Sequence, residues 1–164
     1  MLAHTRIQST PMKTLLLQMI VCGTTLLPLS QVHAATTYGG FAPGKTFSLT
    51  VKTRISKALV GFTTKPKTVA VPSGVPDYKV GQKITFTIGA KGQLTAKNLS
   101  LPYKSTTPTS VAYYIKPDSS HPQGDIGQVF KTLKNRPTDV HLLFVRVKVS
   151  GTTPTTTTVD YTFE

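Results

Sequence analysis

The chain has 164 residues, 38% of them apolar, and sets 19 lysines and arginines against 6 acidic residues for a formal net charge of +13 with histidine neutral. Its single cysteine excludes an internal disulfide, and six scattered acids leave little from which to assemble a paired-carboxylate hydrolase. A chain of this length can bury an ordinary core, so no covalent staple is required.

Arg6 and Lys13 precede an apolar stretch over residues 15–27, and Val32-His33-Ala34 follows with small side chains where a signal peptidase would cut. Residues 1–34 are therefore expected to be a signal peptide, with the mature chain starting at Ala35. Met12-Lys13 would open such a signal by itself. The apolar stretch is shorter than the ~20 residues a bilayer crossing needs, which argues against a transmembrane anchor. Val21 is bulkier than the residue that normally precedes a lipidated cysteine, which argues against attachment at Cys22. The expected location is outside the cytoplasm: secreted, periplasmic or on the cell surface. Cleavage would remove Arg6 and Lys13 and leave 17 basic against 6 acidic side chains, about +11. A field of that sign draws polyanions, whether acidic glycans, cell-wall polymers, nucleic acid or anionic lipid.

Residues 35–164 read as a single basic, β-rich domain. Gly39-Gly40-Phe41-Ala42-Pro43-Gly44-Lys45-Thr46 has the letters of a phosphate-binding loop, but that loop needs a buried strand before it and a helix after it. Here an alternating stretch follows, so no nucleotide site is expected. Phe47, Leu49 and Val51 alternate with Ser48, Thr50 and Lys52, the period of a half-buried strand. Shorter strands are expected over residues 59–63 and 68–71, parted by Lys65-Pro66. Residues 83–88 alternate again, Gly89-Ala90-Lys91-Gly92 turns, and residues 93–101 return as the hairpin partner.

A strand over residues 111–115 leads into a loop marked by Pro117, Ser119, Ser120, Pro122 and Gly124. Asp125 as a cap, Gln128 three residues later, and Ile126, Val129, Phe130 and Leu133 at helical spacing then predict one short helix over residues 125–134. Asn135-Arg136-Pro137 stops it. Residues 140–149 predict a long strand whose apolar phase changes between Phe144 and Val145, implying a bulge or burial of both faces. The threonine-rich end reads either as a glycosylated stalk or, from the alternation of Val159, Tyr161 and Phe163, as a final strand, and β-branching favours the strand. The expected class is mainly β: a small antiparallel barrel (OB-like) or a β-sandwich of about eight strands with the one helix.

Gly81-Gln82-Lys83-Ile84-Thr85-Phe86-Thr87-Ile88, then Gly89-Ala90-Lys91-Gly92 and Ala96-Lys97-Asn98-Leu99, resembles the closing hairpin of bacterial cold-shock domains. Upstream, Val51-Lys52, Gly61-Phe62-Thr63-Thr64 and Lys67-Thr68-Val69-Ala70-Val71 fall where that family has its first three strands. The resemblance spans residues 51–99 and implies a five-stranded OB-type barrel that binds nucleic acid. Where the family carries base-stacking aromatics, this chain has Thr53, Arg54, Val60, Ala70 and Pro72, and it keeps Phe62. The implied binder grips the polymer backbone, so its affinity falls with salt.

Asp118, His121 and Asp125 could ligate a metal if the fold brought His141 to them, but a helix cap accounts for Asp125 and a loop for His121. Ser119 or Ser120 beside His121 lacks the nucleophile-elbow context of a hydrolase. Asn98-Leu99-Ser100 fits a glycosylation sequon. No catalytic group, metal or cofactor is expected. The expected role is a non-enzymatic exported module for an anionic polymer, bound by Lys52, Arg54, Lys65, Lys67, Arg146 and Lys148 on exposed strand faces together with Phe62. The alternatives are a structural or assembly component whose edges pair with another exported protein, and salt-sensitive nucleic-acid binding through the OB-like barrel.

Overall fold

Two-residue periodicity governs the whole architecture. In the computed structural model, which describes residues 35–121 and 123–164, every regular element is a strand. The expected signal peptide lies outside the described residues. The strands are β1 (Thr46–Val60), β2 (Lys67–Thr68), β3 (Lys83–Ile88), β4 (Leu94–Ala96), β5 (Leu99–Leu101), β6 (Tyr103–Thr106), β7 (Ser110–Ile115), β8 (Asp125–Lys131), β9 (Pro137–Ser150) and β10 (Thr153–Phe163).

Nine of them form an antiparallel sheet in the order β5-β4-β3-β1-β10-β9-β8-β7-β6, and β2 attaches to β1. β5 and β6 are consecutive parts of one segment bent at Pro102, the first pairing with β4 and the second with β7. Tyr114 N donates to Pro102 O at 2.9 Å across that corner. Proline suits the position because it has no N–H to leave unpaired. The two ends of the sheet thus meet, and the sheet nearly closes into a barrel whose strands follow one another as an up-and-down meander.

Inward-pointing residues of the barrel strands fill the interior, to which β2 contributes none. Phe86, Ile88, Leu94, Leu101, Val111, Tyr113, Val129, Leu142, Val159, Tyr161 and Phe163 are fully buried. Phe163 meets Phe86 edge-on at 5.1 Å and Tyr78 at 5.8 Å, and Tyr161 continues the aromatic chain to Phe144 at 6.2 Å. The segment between β2 and β3 buries Val75 and Tyr78 against this core, and Tyr161 Oη donates to Pro76 O at 2.6 Å. Phe41 enters the core from the segment before β1, which Lys131 Nζ secures by donating to Gly39 O at 2.7 Å. A strand, not a helix, follows the phosphate-loop look-alike.

The helix expected over residues 125–134 is a strand. Asp125, Gly127 and Val129 point inward, whereas Ile126 is half-exposed and Leu133 is 90% exposed, so the apparent helical stripe is split between faces. Gly127 would also be poor in a helix interior. Here it is needed, because a Cβ would lie 2.6 Å from Leu101 Cδ1. Asp125 caps nothing; it is buried beneath Arg146. Neither the bulge nor the burial of both faces expected after Phe144 is found: β9 keeps unbroken register with β10 from Val140 to Ser150, and Val147 to Ser150 are exposed. The register shifts fall elsewhere: in β1 between Val51 and Thr53, in β6 between Tyr103 and Ser105, and between Phe130 and Lys131 of β8, opposite Asp139 and Pro137 at the start of β9. β1 also absorbs the start of the strand expected at 59–63, β2 keeps only Lys67–Thr68, and the return over 93–101 divides at Asn98, where φ is 59°.

Because Phe163 sits among Phe86, Tyr78 and Tyr161, the Phe163→Ala variant should lose about 3 to 5 kcal/mol in urea unfolding. Leu133→Ala should change stability by less than about 0.5 kcal/mol; a large loss there would restore the helix.

Candidate functional site

Three strands outrun the barrel. β1, β9 and β10 have 15, 14 and 11 residues, whereas β3, β7 and β8 have 6, 6 and 7. At about 3.3 Å per residue, the excess projects as a blade in which β10 lies between β1 and β9 and β2 edges β1. One face of the blade carries the row Val60, Thr155, Lys148 and the row Ala58, Thr157, Arg146. Residues 56–68 and 145–158 contain no acid.

β1 ends in a turn at Gly61, whose N–H donates to Pro154 O at 2.7 Å, and Thr63 N donates back to Val60 O at 3.2 Å. The chain then doubles back so that Lys67 and Thr68 pair with Ala58 and Lys57. Between the blade and this returning segment lies an open groove of ≈ 590 Å³, with Ala58, Val60 and Phe62 as its apolar side and Lys65 and Lys67 as its cations. Phe62 is fully exposed, so both faces of its ring are free.

The seven side chains expected to bind ligand are thereby sorted. Phe62, Lys65 and Lys67 come together in the groove. Lys148 lies on the same blade face, two strands from Val60, or roughly 10 Å. None of the ion pairs among the described residues involves Lys57, Lys65, Lys67 or Lys148. The other three are neutralised by acids. Lys52 bonds Glu164, a contact that raises its pKa. Arg54 lies 3.1 Å from Asp77. The hydrogen bond from Lys79, with the nearby Arg54 charge adding to it, lowers the Asp77 pKa. Arg146 is not on an exposed face at all: its guanidinium holds both oxygens of Asp125, at 2.5 and 3.0 Å, with side-chain exposures of 15% and 5%.

Around that buried pair, His121 Nε2 is 3.6 Å from Asp125 and His121 Nδ1 is 2.9 Å from Asp118. Asp118 also accepts from the backbone N–H groups of Ser120 and His121, and the His121 contact lowers its pKa below the ordinary carboxylate value. His141 is not part of this cluster; it bonds Asp160 at 2.6 Å. No set of three or more metal-ligating side chains with suitable geometry occurs among the described residues.

A second basic and aromatic hollow, ≈ 540 Å³, was not singled out in the sequence; it is lined by Tyr103, Lys104, Tyr114 and Lys116. Its signal was the placement of Tyr103-Lys104 beside Tyr114, visible only once the register of β6 and β7, with Tyr103 opposite Tyr113, is known. Lys104 Nζ already covers the Tyr114 ring at 4.5 Å, which leaves the Phe62 groove as the one with a free aromatic face of these two.

No helix among the described residues is long and apolar enough to cross a membrane. Neither a protein-family model, nor a curated protein, nor a solved structure matches the chain.

Arg146→Ala strands a buried carboxylate and should cost about 3 to 5 kcal/mol in chemical denaturation, whereas Lys148→Ala should change stability by less than about 0.5 kcal/mol. For Asp118, whose folded pKa is lowered, the stabilising contact is complete above the free-carboxyl value of 3.8 and is lost as pH falls through the lower folded value. An NMR titration of the Asp118 side-chain carbon should therefore show a midpoint below 3.8, and His121→Ala should move it upward.

Proposed function

We propose that the protein is an exported, non-enzymatic module that binds an anionic polymer in the groove beside the blade. The supporting observation is the convergence of Phe62, Lys65 and Lys67 on one open groove in a region without acids. Charge alone would suit any polyanion. A free aromatic face next to two lysines suits a chain whose repeating unit carries a ring, such as an acidic glycan or single-stranded nucleic acid, because the ring packs on Phe62 while its charged groups meet the lysines. Lys148 would extend the contact along the blade.

The open groove favours this reading over catalysis. Its lining holds no carboxylate, histidine or cysteine that could activate the hydroxyls of Thr63 and Thr64 or the amines of Lys65 and Lys67 next to the bound chain.

Heparin and a thymine homopolymer are the probes. Binding should weaken with added salt, and each of Lys65→Ala and Lys67→Ala should lower the slope of log K against log salt by about one. Phe62→Ala should weaken binding at all salt concentrations with the slope unchanged, and Lys52→Ala should alter neither. Affinity that survives high salt, or that ignores the loss of both groove lysines, would rule the groove out.

A further inference from the structure

β8 accompanies β9 only as far as Phe144, which pairs with Asp125. Beyond it, residues 145–150 have β10 on one side and no strand on the other. Among the described residues, no backbone bond from a turn or loop reaches this stretch, and the one side-chain bond to its backbone is Arg146 Nη1 donating to Val145 O at 3.1 Å. The edge has no proline, keeps continuous register and is six residues long; the charges that guard it are Arg146, which Asp125 holds, and Lys148. Its side chains alternate strictly. Val145, Val147 and Val149 take the outer face, with Val149 64% exposed, and Arg146, Lys148 and Ser150 take the other.

The chemistry of the edge restricts what can lie beside it. A second copy pairing antiparallel about a two-fold axis must be centred on Val147 or on Lys148 to cover the whole stretch. The first register sets Lys148 opposite Arg146, whose guanidinium Asp125 already holds and which therefore offers it no acid, and the second sets it opposite its own symmetry mate. Like charges directly opposed across a sheet are destabilising. An added strand with valine-like residues on the outer face and an acid facing Lys148 meets no such conflict.

We propose that residues 145–150 of β9 receive an extended segment of another protein, alternating apolar and acidic residues, as an added strand of the blade. Main-chain hydrogen bonds give the affinity, and the outer valines and Lys148 give the selection. None of residues 145–150 lines the groove, which lies at the opposite edge of the blade beside β2; Lys148 is the one side chain that both readings use.

The full chain is mixed with a short synthetic peptide alternating valine and glutamate, and with two controls: the same peptide with lysine for glutamate, and one N-methylated at alternate backbone amides. The glutamate peptide should bind and slow amide hydrogen exchange within residues 145–150. N-methylation should weaken it by about tenfold or more, the equivalent of ~1.4 kcal/mol. Lys148→Glu, an exposed change that leaves the core untouched, should reverse the preference in favour of the lysine peptide. The Phe62→Ala and Lys65→Ala variants should bind it normally, which separates this site from the groove. The proposal is overturned if the glutamate peptide does not bind, or if the N-methylated form binds equally well, since charge alone would then explain the attraction. It is likewise overturned if the chain dimerises with residues 145–150 protected, for a second copy would be the occupant.

Discussion

A barrel of this girth needs only six or seven residues from each strand, and β1, β9 and β10 supply about twice that. Every feature of functional interest follows from the surplus. Inside the barrel the alternation buries one face of each strand; outside it the same alternation continues with nothing to pack against. Apolar residues there cannot all be withdrawn from water, and the chain responds with threonines along β10, from Thr155 to Thr158, whose β-branching keeps the strand extended while their hydroxyls remain solvated. Five of the nine exposed large apolar side chains among the described residues, Leu59, Val60, Phe62, Val147 and Val149, belong to this region.

The boundary between barrel and blade is marked by an ion pair. Phe144 is the last buried apolar side chain of β9, and two residues further the inward position is taken by Arg146, clamped to Asp125 at the start of β8. Replacing such a pair by well-packed apolar residues is often neutral or better for stability, so its presence is weak evidence of a strong contribution. What it does supply is register. Asp125 can satisfy both oxygens on one guanidinium only when β8 and β9 are aligned as observed, and a one-residue slip would turn Asp125 to the outside and Ile126 inward. The place where β8 stops, and hence where the free edge of β9 begins, is tied to this contact.

Much of the barrel was legible in the sequence because period-two alternation is a local signal. Residues 83–88 and 111–115 were expected as strands and are so, the former residue for residue. The helix expected at 125–134 failed because Ile126, Val129, Phe130 and Leu133 stand at helical spacing, whereas the observed strand turns Asp125, Gly127 and Val129 inward and leaves Ile126 on the other face. What decides between them is non-local: Gly127 must let Leu101 and Leu142 approach from other strands. The bulge or two-sided burial expected in β9 failed for a related reason. The apparent change of phase is the point at which the strand leaves the core, and burial, not geometry, is what changes there. Of the basic residues singled out, charge alone could not separate those with an acid partner. Asp125 is 21 positions from Arg146 and Glu164 is 112 from Lys52. Lys65 and Lys67 stand near Phe62 in the sequence as well as in the fold, which is why that part of the site was readable.

β10 joins β1 along nearly its whole length, and β9 along all of it, with the strands running from the blade into the barrel without a break. A pull on the blade along the strand direction would load these ladders in shear, so that many backbone hydrogen bonds must yield together instead of one after another as in peeling a hairpin. Tension applied to the blade is therefore carried by continuous backbone directly into the aromatic core, and among the described residues no loop interrupts β9 or β10 between the two.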